Sequence, residues 1–193
     1  MQQIGVSEIL ATNYKQKQGV YYNINHDKKF IFAGTLSEFD RQAATAQGFK
    51  IYDSPDVHRQ SAWTEGNLFI AITCMRPSEV AYRKIFQEAV IAVLGEDTTI
   101  SNNDIIYKDR KISGGTVIRE GLLDHHRVFM AFALNITTPE DIIFEVCPDS
   151  KRQRGGHIAL RDYGWTAETF KDAIEKELRA RLTELYEEES CTK

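Results

Sequence analysis

One lysine in the sequence lies three positions ahead of a pair of glycines, in a pattern suited to binding an anion. Lys111 follows a short charged turn, Lys108-Asp109-Arg110, and precedes Gly114 and Gly115. Glycines early in a strand let a ligand or a second backbone approach closely, and a fixed ammonium stabilises a phosphate or a developing oxyanion. The segment is a candidate anion site, although an ordinary hairpin with a surface lysine has the same pattern.

Two further polar segments lie where strands are predicted to begin. Asp124-His125-His126 precedes an apolar strand, and adjacent histidines on a strand point to opposite faces. One histidine facing the sheet interior or a pocket and one facing solvent therefore fits better than a metal site, which needs converging ligands. The loop from His58 to Asn67 leads into a buried strand, where loops commonly carry binding residues; a plain surface connection has the same composition.

A third segment joins a cysteine to a basic stretch. Cys147-Pro148 is followed within four residues by Lys151-Arg152-Gln153-Arg154. Nearby cations favour a thiolate, so Cys147 is a candidate nucleophile. The basic stretch is either an anion-binding loop or a solvated surface loop.

The composition limits the class of protein. The 193 residues suffice for one domain spanning 1–193. The net charge of −4 argues against a general nucleic-acid binder, and no apolar run approaches the ~20 residues of a membrane span. The N-terminus does not resemble a secretory signal. Three widely spaced cysteines predict neither disulfides nor zinc, so we expect a cytoplasmic protein with reduced thiols.

Helices and strands alternate along the sequence, which predicts an α/β or α+β fold with a mixed or antiparallel sheet and packed helices. A capping box, Thr35-Leu36-Ser37-Glu38, predicts a helix over 36–47 that ends at Gly48. A second helix is predicted over 78–94, with Ala81, Ile85, Ala89 and Val93 on one stripe. A third is predicted from Thr166, with one apolar face made of Phe170, Ile174, Leu178, Leu182 and Leu185. Strands are predicted at 19–23, 29–33, 50–52, 68–74, 105–107, 111–119, 127–136, 142–145 and 157–160, the first two forming a hairpin.

The order of these motifs resembles the lipoate-protein ligase, biotin-protein ligase and octanoyltransferase superfamily. Asn103-Asp104 with two apolar residues, then Lys111-Ile112-Ser113-Gly114, resembles its lysine motif. Glu65-Gly66-Asn67-Leu68 resembles its Gly-Asn-Leu before a central strand. Asp124-His125-His126 and Leu134-Asn135 match later motifs. The likeness covers roughly residues 5–185.

The resemblance implies roles for several of these residues. Lys111 would contact the acyl carbonyl and the α-phosphate of an acyl-adenylate, with ATP and magnesium as cofactors. Asn103, Asp104, Gly114 and His126 would line the nucleotide end, Asp104 through magnesium. His58, Arg59, Gly66 and Asn67 would bind the substrate, a lipoate-, octanoate- or biotin-like acid. A lipoyl or biotinyl carrier domain would be the acceptor, with the basic loop as a candidate contact.

The sequence departs from the family at one motif. Lipoate ligases carry Arg-Arg-x-x-Gly-Gly-Gly before Gly-Asn-Leu, whereas the corresponding positions here are Asp53-Ser54-Pro55-Asp56-Val57-His58-Arg59. Three hypotheses follow. The chain is an ATP-dependent acyl ligase, a non-catalytic relative that binds a ligand or protein, or an octanoyl or lipoyl transferase that uses Cys147 with Lys111.

Overall fold

Two sheets organise the part of the chain that the computed structural model describes, residues 1–3, 5, 19–53, 60–75, 79–101, 104–120, 127–146 and 155–191. The large sheet has seven strands, in the order β1 (Gln2–Gln3), β2 (Gly19–Ile24), β6 (Leu68–Met75), β10 (Arg127–Leu134), β9 (Arg110–Glu120), β8 (Asp104–Tyr107) and β7 (Thr98–Ser101). The small sheet has the order β4 (Lys50–Asp53), β3 (Lys29–Ala33) and β5 (Ser61–Thr64).

Both sheets are mixed, which confirms the predicted class. The pairs β1–β2 and β3–β4 are parallel, and the other neighbouring pairs are antiparallel. Among the described residues, four helices accompany the sheets, namely α1 (Arg41–Ala46), α2 (Glu79–Leu94), α3 (Glu140–Val146) and α4 (Ala167–Cys191). A 3-10 turn spans Leu160–Tyr163. None of the helices in the described part of the chain combines the length and apolar character needed to cross a bilayer.

The helices α2 and α4 cover one face of the large sheet. Phe86 of α2 stacks on Phe132 of β10 with ring centroids 4.0 Å apart. The buried face of α2 consists of Tyr82, Phe86, Ala89 and Val90. The predicted stripe shares only Ala89 with this face, because its other members lie at the border of the contact and are partly buried. In the first half of the predicted face of α4, Phe170, Ile174 and Leu178 are buried as predicted, and Leu182 is partly buried.

The small sheet contributes aromatic rings to the opposite side. Phe30 and Phe32 of β3 lie against Phe69 of β6, with centroids 5.9 and 5.7 Å apart, and Trp63 of β5 meets the same ring at 5.3 Å. These rings form one apolar cluster with Ala71 and Ala131 of the large sheet. The central strands are therefore buried on both faces, as the apolar run at 68–74 predicts.

The predicted hairpin over 19–33 is wrong. Although β2 and β3 follow one another in the sequence, β2 pairs with β6 in the large sheet and β3 pairs with β4 and β5 in the small sheet. Asn25 explains the separation. Its N–H donates to Asn67 O at 3.1 Å and its Oδ1 accepts from Asn67 N at 2.9 Å, so the connection turns toward the start of β6 instead of folding back.

Three other predicted elements are corrected. The first helix begins at Arg41 with Asp40 as its N-cap, because Ser37 Oγ accepts from Gly34 N and closes a turn there instead. Its end at Gly48, which has a φ of 86°, is as predicted. Residues 142–145 are helical, within α3. Residues 157–160 contain one β-bridge, between His157 and Lys111, followed by the 3-10 turn.

Candidate active site

A tight hairpin positions Lys111 beside Asp104. Lys108 and Asp109 connect β8 to β9 with φ angles of 49° and 60°, the left-handed backbone that two-residue hairpin loops favour. A register shift between Ile105 and Ile106 interrupts the β8–β9 pairing, and such bulges redirect neighbouring side chains. Lys111 Nζ lies 2.7 Å from Asp104 Oδ1, with side-chain exposures of 27% and 32%. The pair is oriented yet open to solvent.

Gly114 leaves space beside this ion pair. A Cβ built at Gly114 would lie 3.5 Å from Lys111 Nζ and 3.8 Å from Asp104 Oδ1. A longer side chain would therefore grow over the pair and cover the ammonium. Gly115 has a different requirement, since its Cβ would lie 2.8 Å from the ring of Phe132, closer than packing allows. Gly114 therefore borders the Lys111–Asp104 pair, whereas Gly115 leaves room for the buried ring of Phe132.

The backbone of Lys111 is held by a segment that we call the strap, Gly155–Ile158. Lys111 N donates to Gly156 O at 2.8 Å, and Ile158 N donates to Lys111 O at 3.2 Å. Arg110 Nε also donates to Gly155 O at 2.9 Å. Lys111 is therefore fixed on both sides, by β8 and by the strap.

Glu140, the first residue of α3, fastens the strap. Its carboxylate accepts hydrogen bonds from Gly155 N at 2.8 and 2.7 Å and from His157 N at 2.9 Å. Burial alone would raise the pKa of Glu140, but these two backbone donors outweigh it and hold the pKa below its ordinary value. The position of the strap therefore depends on the charged carboxylate of Glu140. Because the strap holds the backbone of Lys111, the position of Lys111 depends on Glu140 as well.

A second polar cluster, the Asn67 corner, lies where β6 begins. Asn67 is 0% exposed. Its Oδ1 accepts from Ile136 N at 2.8 Å and Thr137 N at 3.1 Å, and its Nδ2 donates to Thr64 O and Thr138 Oγ1, both at 2.7 Å. Its amide is thus occupied by the chain's own groups, which join the start of β6 to the end of β10.

Two more residues complete the corner. Gly66 has a φ of 84°, and a Cβ there would lie 3.0 Å from Thr137 Cγ2. Asn135 donates through Nδ2 to Thr138 O at 3.0 Å and to Ile158 O at 3.1 Å, and so reaches the strap. The corner therefore supports the segments around Lys111. Within the described part of the chain, neither Gly66 nor Asn67 hydrogen-bonds to the lysine directly.

The predicted site residues fall into three groups. Lys111, Asp104 and Gly114 are brought together, and Gly66 and Asn67 lie in the supporting corner. Asn103, His126, His58, Arg59, Cys147 and the basic loop at 151–154 lie outside the described residues, so their roles stay predictions. Asp53, at one end of the departing motif, is a surface residue whose pKa is held below its usual value by hydrogen bonding from Arg41.

The anchor Glu140 is absent from the sequence-based site. Thr137-Thr138-Pro139-Glu140-Asp141 has the proline and acidic residues typical of a helix N-terminus, which could have located α3. Its contact with the strap spans 15 and 17 residues and has no local signal. In the described parts of the chain, no group of three or more His, Cys, Asp or Glu side chains could hold a metal ion.

Comparisons with known proteins locate this arrangement among known folds. No family model and no curated protein matches the sequence. Among solved structures, a bi-partite lipoate-protein ligase from Thermoplasma acidophilum, described together with its E2 lipoyl domain, has a TM-score of 0.73 at 15% identity over 92% of this chain and 77% of its own. A lipoate-protein ligase A bound with ATP has a TM-score of 0.70 at 16% identity, covering 92% and 77%.

A more distant example is LipL1 of P. falciparum in complex with lipoate. Its TM-score is 0.65 at 16% identity, over 86% of this chain and 50% of its own. These identities are low, so the likeness concerns the fold, and it extends over nearly the whole chain. The two sheets with their packed helices have the fold of the lipoate-protein ligases.

Proposed function

We propose that this chain is an ATP-dependent acyl-protein ligase of the lipoate or biotin type. The observation that carries the proposal is the Lys111 ammonium, held 2.7 Å from Asp104 and bordered by Gly114 within a fold shared with ATP- and lipoate-binding ligases. Its backbone is fixed by the strap. A cation held in this way is preorganised, so it stabilises developing negative charge without first having to be ordered.

The proposed reaction has two steps, and both require negative charge to be stabilised near the acyl carboxyl. A carboxylate oxygen of the acid attacks the α-phosphorus of ATP, the bond to the β-phosphate oxygen breaks, and pyrophosphate leaves. An amine of the carrier lysine then attacks the acyl carbonyl, loses a proton, and displaces AMP. Negative charge develops near the acyl carboxyl in both steps, and one positioned ammonium serves each of them.

Asp104 has a double role in this proposal. Its carboxylate orients Lys111 in the absence of an anion, and it is the described carboxylate nearest to where a nucleotide would lie against the lysine. Magnesium bound with nucleotides takes one or two carboxylates and completes its shell with phosphate oxygens and water. A single accessible carboxylate fits this arrangement, in which the metal neutralises phosphate charge.

The partners follow from the same chemistry. The small ligand is a carboxylic acid of the lipoate, octanoate or biotin class. The acceptor is a carrier domain that displays a lysine, as the E2 lipoyl domain is the partner of the T. acidophilum ligase.

The test is isotope exchange between pyrophosphate and ATP in the presence of each acid. We expect the wild-type protein to catalyse this exchange with at least one of lipoate, octanoate and biotin. The Lys111→Ala substitution should abolish the exchange. Lys108→Ala is the matched control, because Lys108 lies at the tip of the same hairpin over the rings of Tyr107 and Tyr163. The Lys111–Asp104 pair is partly exposed, so its loss changes folding stability by only about 0–1 kcal/mol.

Each outcome distinguishes among the three hypotheses. Exchange that survives Lys111→Ala contradicts the proposed role of the lysine. An acid that binds without any exchange favours a non-catalytic relative. A hydroxylamine-sensitive acyl adduct that disappears in Cys147→Ser, without exchange, favours the transferase.

A further inference from the structure

The second step of the proposed reaction releases a proton that neither Lys111 nor Asp104 is suited to take. When the carrier amine attacks the acyl carbonyl, its nitrogen must lose a proton. Lys111 is itself a cation, and Asp104 is its ion-pair partner. A group that accepts a proton near neutral pH is therefore needed beside the lysine, and histidine is the side chain best suited to that task.

His157, in the strap, is the neighbour of Lys111 in the backbone pairing. The two residues form an isolated parallel β-bridge on the side of β9 that faces away from β8. The hydrogen bonds of this bridge are those that Lys111 makes with Gly156 and Ile158. Neighbouring strands lie about 4.8 Å apart, and residues paired across them point to the same face of the sheet. His157 therefore shares the face on which Lys111 meets Asp104.

The helix α3 holds His157 in place. The backbone N–H of His157 donates to Glu140 Oε1 at 2.9 Å. Its ring, which is partly buried, meets the ring of Phe144 edge-on, with centroids 5.9 Å apart and planes at 77°. The Glu140 carboxylate also interacts electrostatically with the histidine, and its negative charge favours the protonated form of the imidazole. The ring is thus oriented, beside a charge that stabilises it once it has taken a proton.

We propose that His157 is a catalytic residue of the transfer step, the base that takes the proton from the attacking amine of the carrier lysine. The inference rests on the proposed function, because the acyl carbonyl lies at Lys111. A bond forms between the amine nitrogen and the acyl carbon, one proton passes from that nitrogen to the imidazole, and the bond from the acyl carbon to the AMP oxygen breaks. The imidazolium then releases its proton to water.

The same chemistry limits His157 to one of the two steps. In the first step a carboxylate, which carries no proton, attacks the α-phosphorus, so no base is needed. Lys111 serves both steps, and a substitution that merely displaced the strap would therefore impair both. A selective loss of the second step is the signature of a base.

The experiment measures the two steps separately. Exchange between pyrophosphate and ATP reports the first step. For the second step, synthetic lipoyl-, octanoyl- and biotinyl-adenylate are each supplied together with Nα-acetyllysine amide, and the acylated product is quantified by mass spectrometry. His157→Gln should reduce the catalysed transfer roughly 100-fold, because general-base catalysis contributes at least about that factor. Exchange should be unchanged in this variant.

Two further variants control for the loss of a histidine and for displacement of the strap. His26 is exposed in the connection between β2 and β3, so His26→Gln should leave both steps unchanged. His157→Ala is assayed with added imidazole, which should restore transfer in this variant without changing exchange. Imidazole that accelerates transfer equally in wild type and His157→Ala contradicts the proposal.

The outcomes separate this inference from the proposed function. Unchanged transfer in His157→Gln, with exchange intact, overturns the role of His157 and leaves the ligase proposal standing. Equal loss of both steps also overturns it, because the ring would then only help to hold the strap and Lys111. Wild type that catalyses exchange but no transfer from any of the three adenylates overturns the inference as well. Absence of both exchange and transfer overturns the inference together with the proposed function.

Discussion

The two faces of the large sheet are built for different purposes. The face under α2 and α4 is filled with large apolar side chains that pack closely, as the stacked rings of Phe86 and Phe132 illustrate. The opposite face has the small residues Ala71, Ala131 and Gly114 in its central strands. The aromatic rings of the small sheet cover the two alanines, and the Lys111–Asp104 pair lies beside Gly114.

The comparison shows how one sheet serves both stability and binding. Dense packing on the helix-covered face contributes folding free energy in proportion to the apolar area that it buries. The other face holds small residues next to charged and polar groups, which is the composition of a ligand site with a few placed polar contacts. Substitutions on the first face should therefore change stability most, and substitutions around the second should change the geometry or the chemistry of the site.

The largest effect on stability is expected from Phe132→Ala. This ring is buried in the helix-covered core, stacks on Phe86, and fills the space that Gly115 leaves. Truncating a buried phenylalanine costs about 3–5 kcal/mol, to be measured by urea denaturation. Leu36→Ala is the control, since Leu36 is 60% exposed, and it should change the free energy of unfolding by less than about 0.5 kcal/mol. Equal losses in the two variants would contradict the assignment of Phe132 to the stabilising core.

The next largest effect is expected at the Asn67 corner. Asn67→Ala leaves two backbone N–H groups, a carbonyl and the Thr138 hydroxyl without their side-chain partner in a buried site. We expect a loss of about 2–4 kcal/mol, because each unsatisfied buried group carries a desolvation penalty. Asn67→Asp should be worse, since it loses the donor and buries a charge. If Asn67→Asp is as stable as wild type but binds the substrate with a different affinity, Asn67 would contact the ligand directly and would not mainly stabilise the fold.

Local signals in the sequence predict the central strands and the lysine hairpin correctly. The apolar run at 68–74 and the charged turn before Lys111 each depend on neighbouring residues alone, and both match the structure. The two aspects of Lys111 that matter for the site, its proximity to Asp104 and the adjacent Gly114, are set by the same short hairpin.

The sequence-based predictions are wrong where contacts between residues far apart in the sequence determine the structure. The segments 19–24 and 29–33 look like a hairpin by sequence, but Asn67, more than forty positions beyond Asn25, directs them into different sheets. Residues 142–145 have a strand-like composition, yet they form α3, whose first residue holds the strap.

The smallest stability effect, and the most informative one for the site, is expected from Glu140→Gln. The neutral amide keeps the shape and loses the charge-assisted bonds to Gly155 N and His157 N, so we expect a loss of about 1 kcal/mol at neutral pH. Because the folded-state pKa lies below the ordinary value of 4.5, this contribution is full above that value and is lost as the pH falls through the folded pKa. The difference between wild type and variant should therefore shrink on acidification.

The neighbouring acid gives the control, and amide exchange tells whether the effect reaches the site. Asp141 is exposed in the same first turn of α3, so Asp141→Asn should show little loss and little pH dependence. In Glu140→Gln, the amides of Lys111 and Ile158, which bond across the strap, should exchange faster, while those of α2 keep their protection. Unchanged exchange at Lys111 would mean that β8 alone holds the lysine, and Glu140 would then belong with the stabilising residues and not with those that position the site.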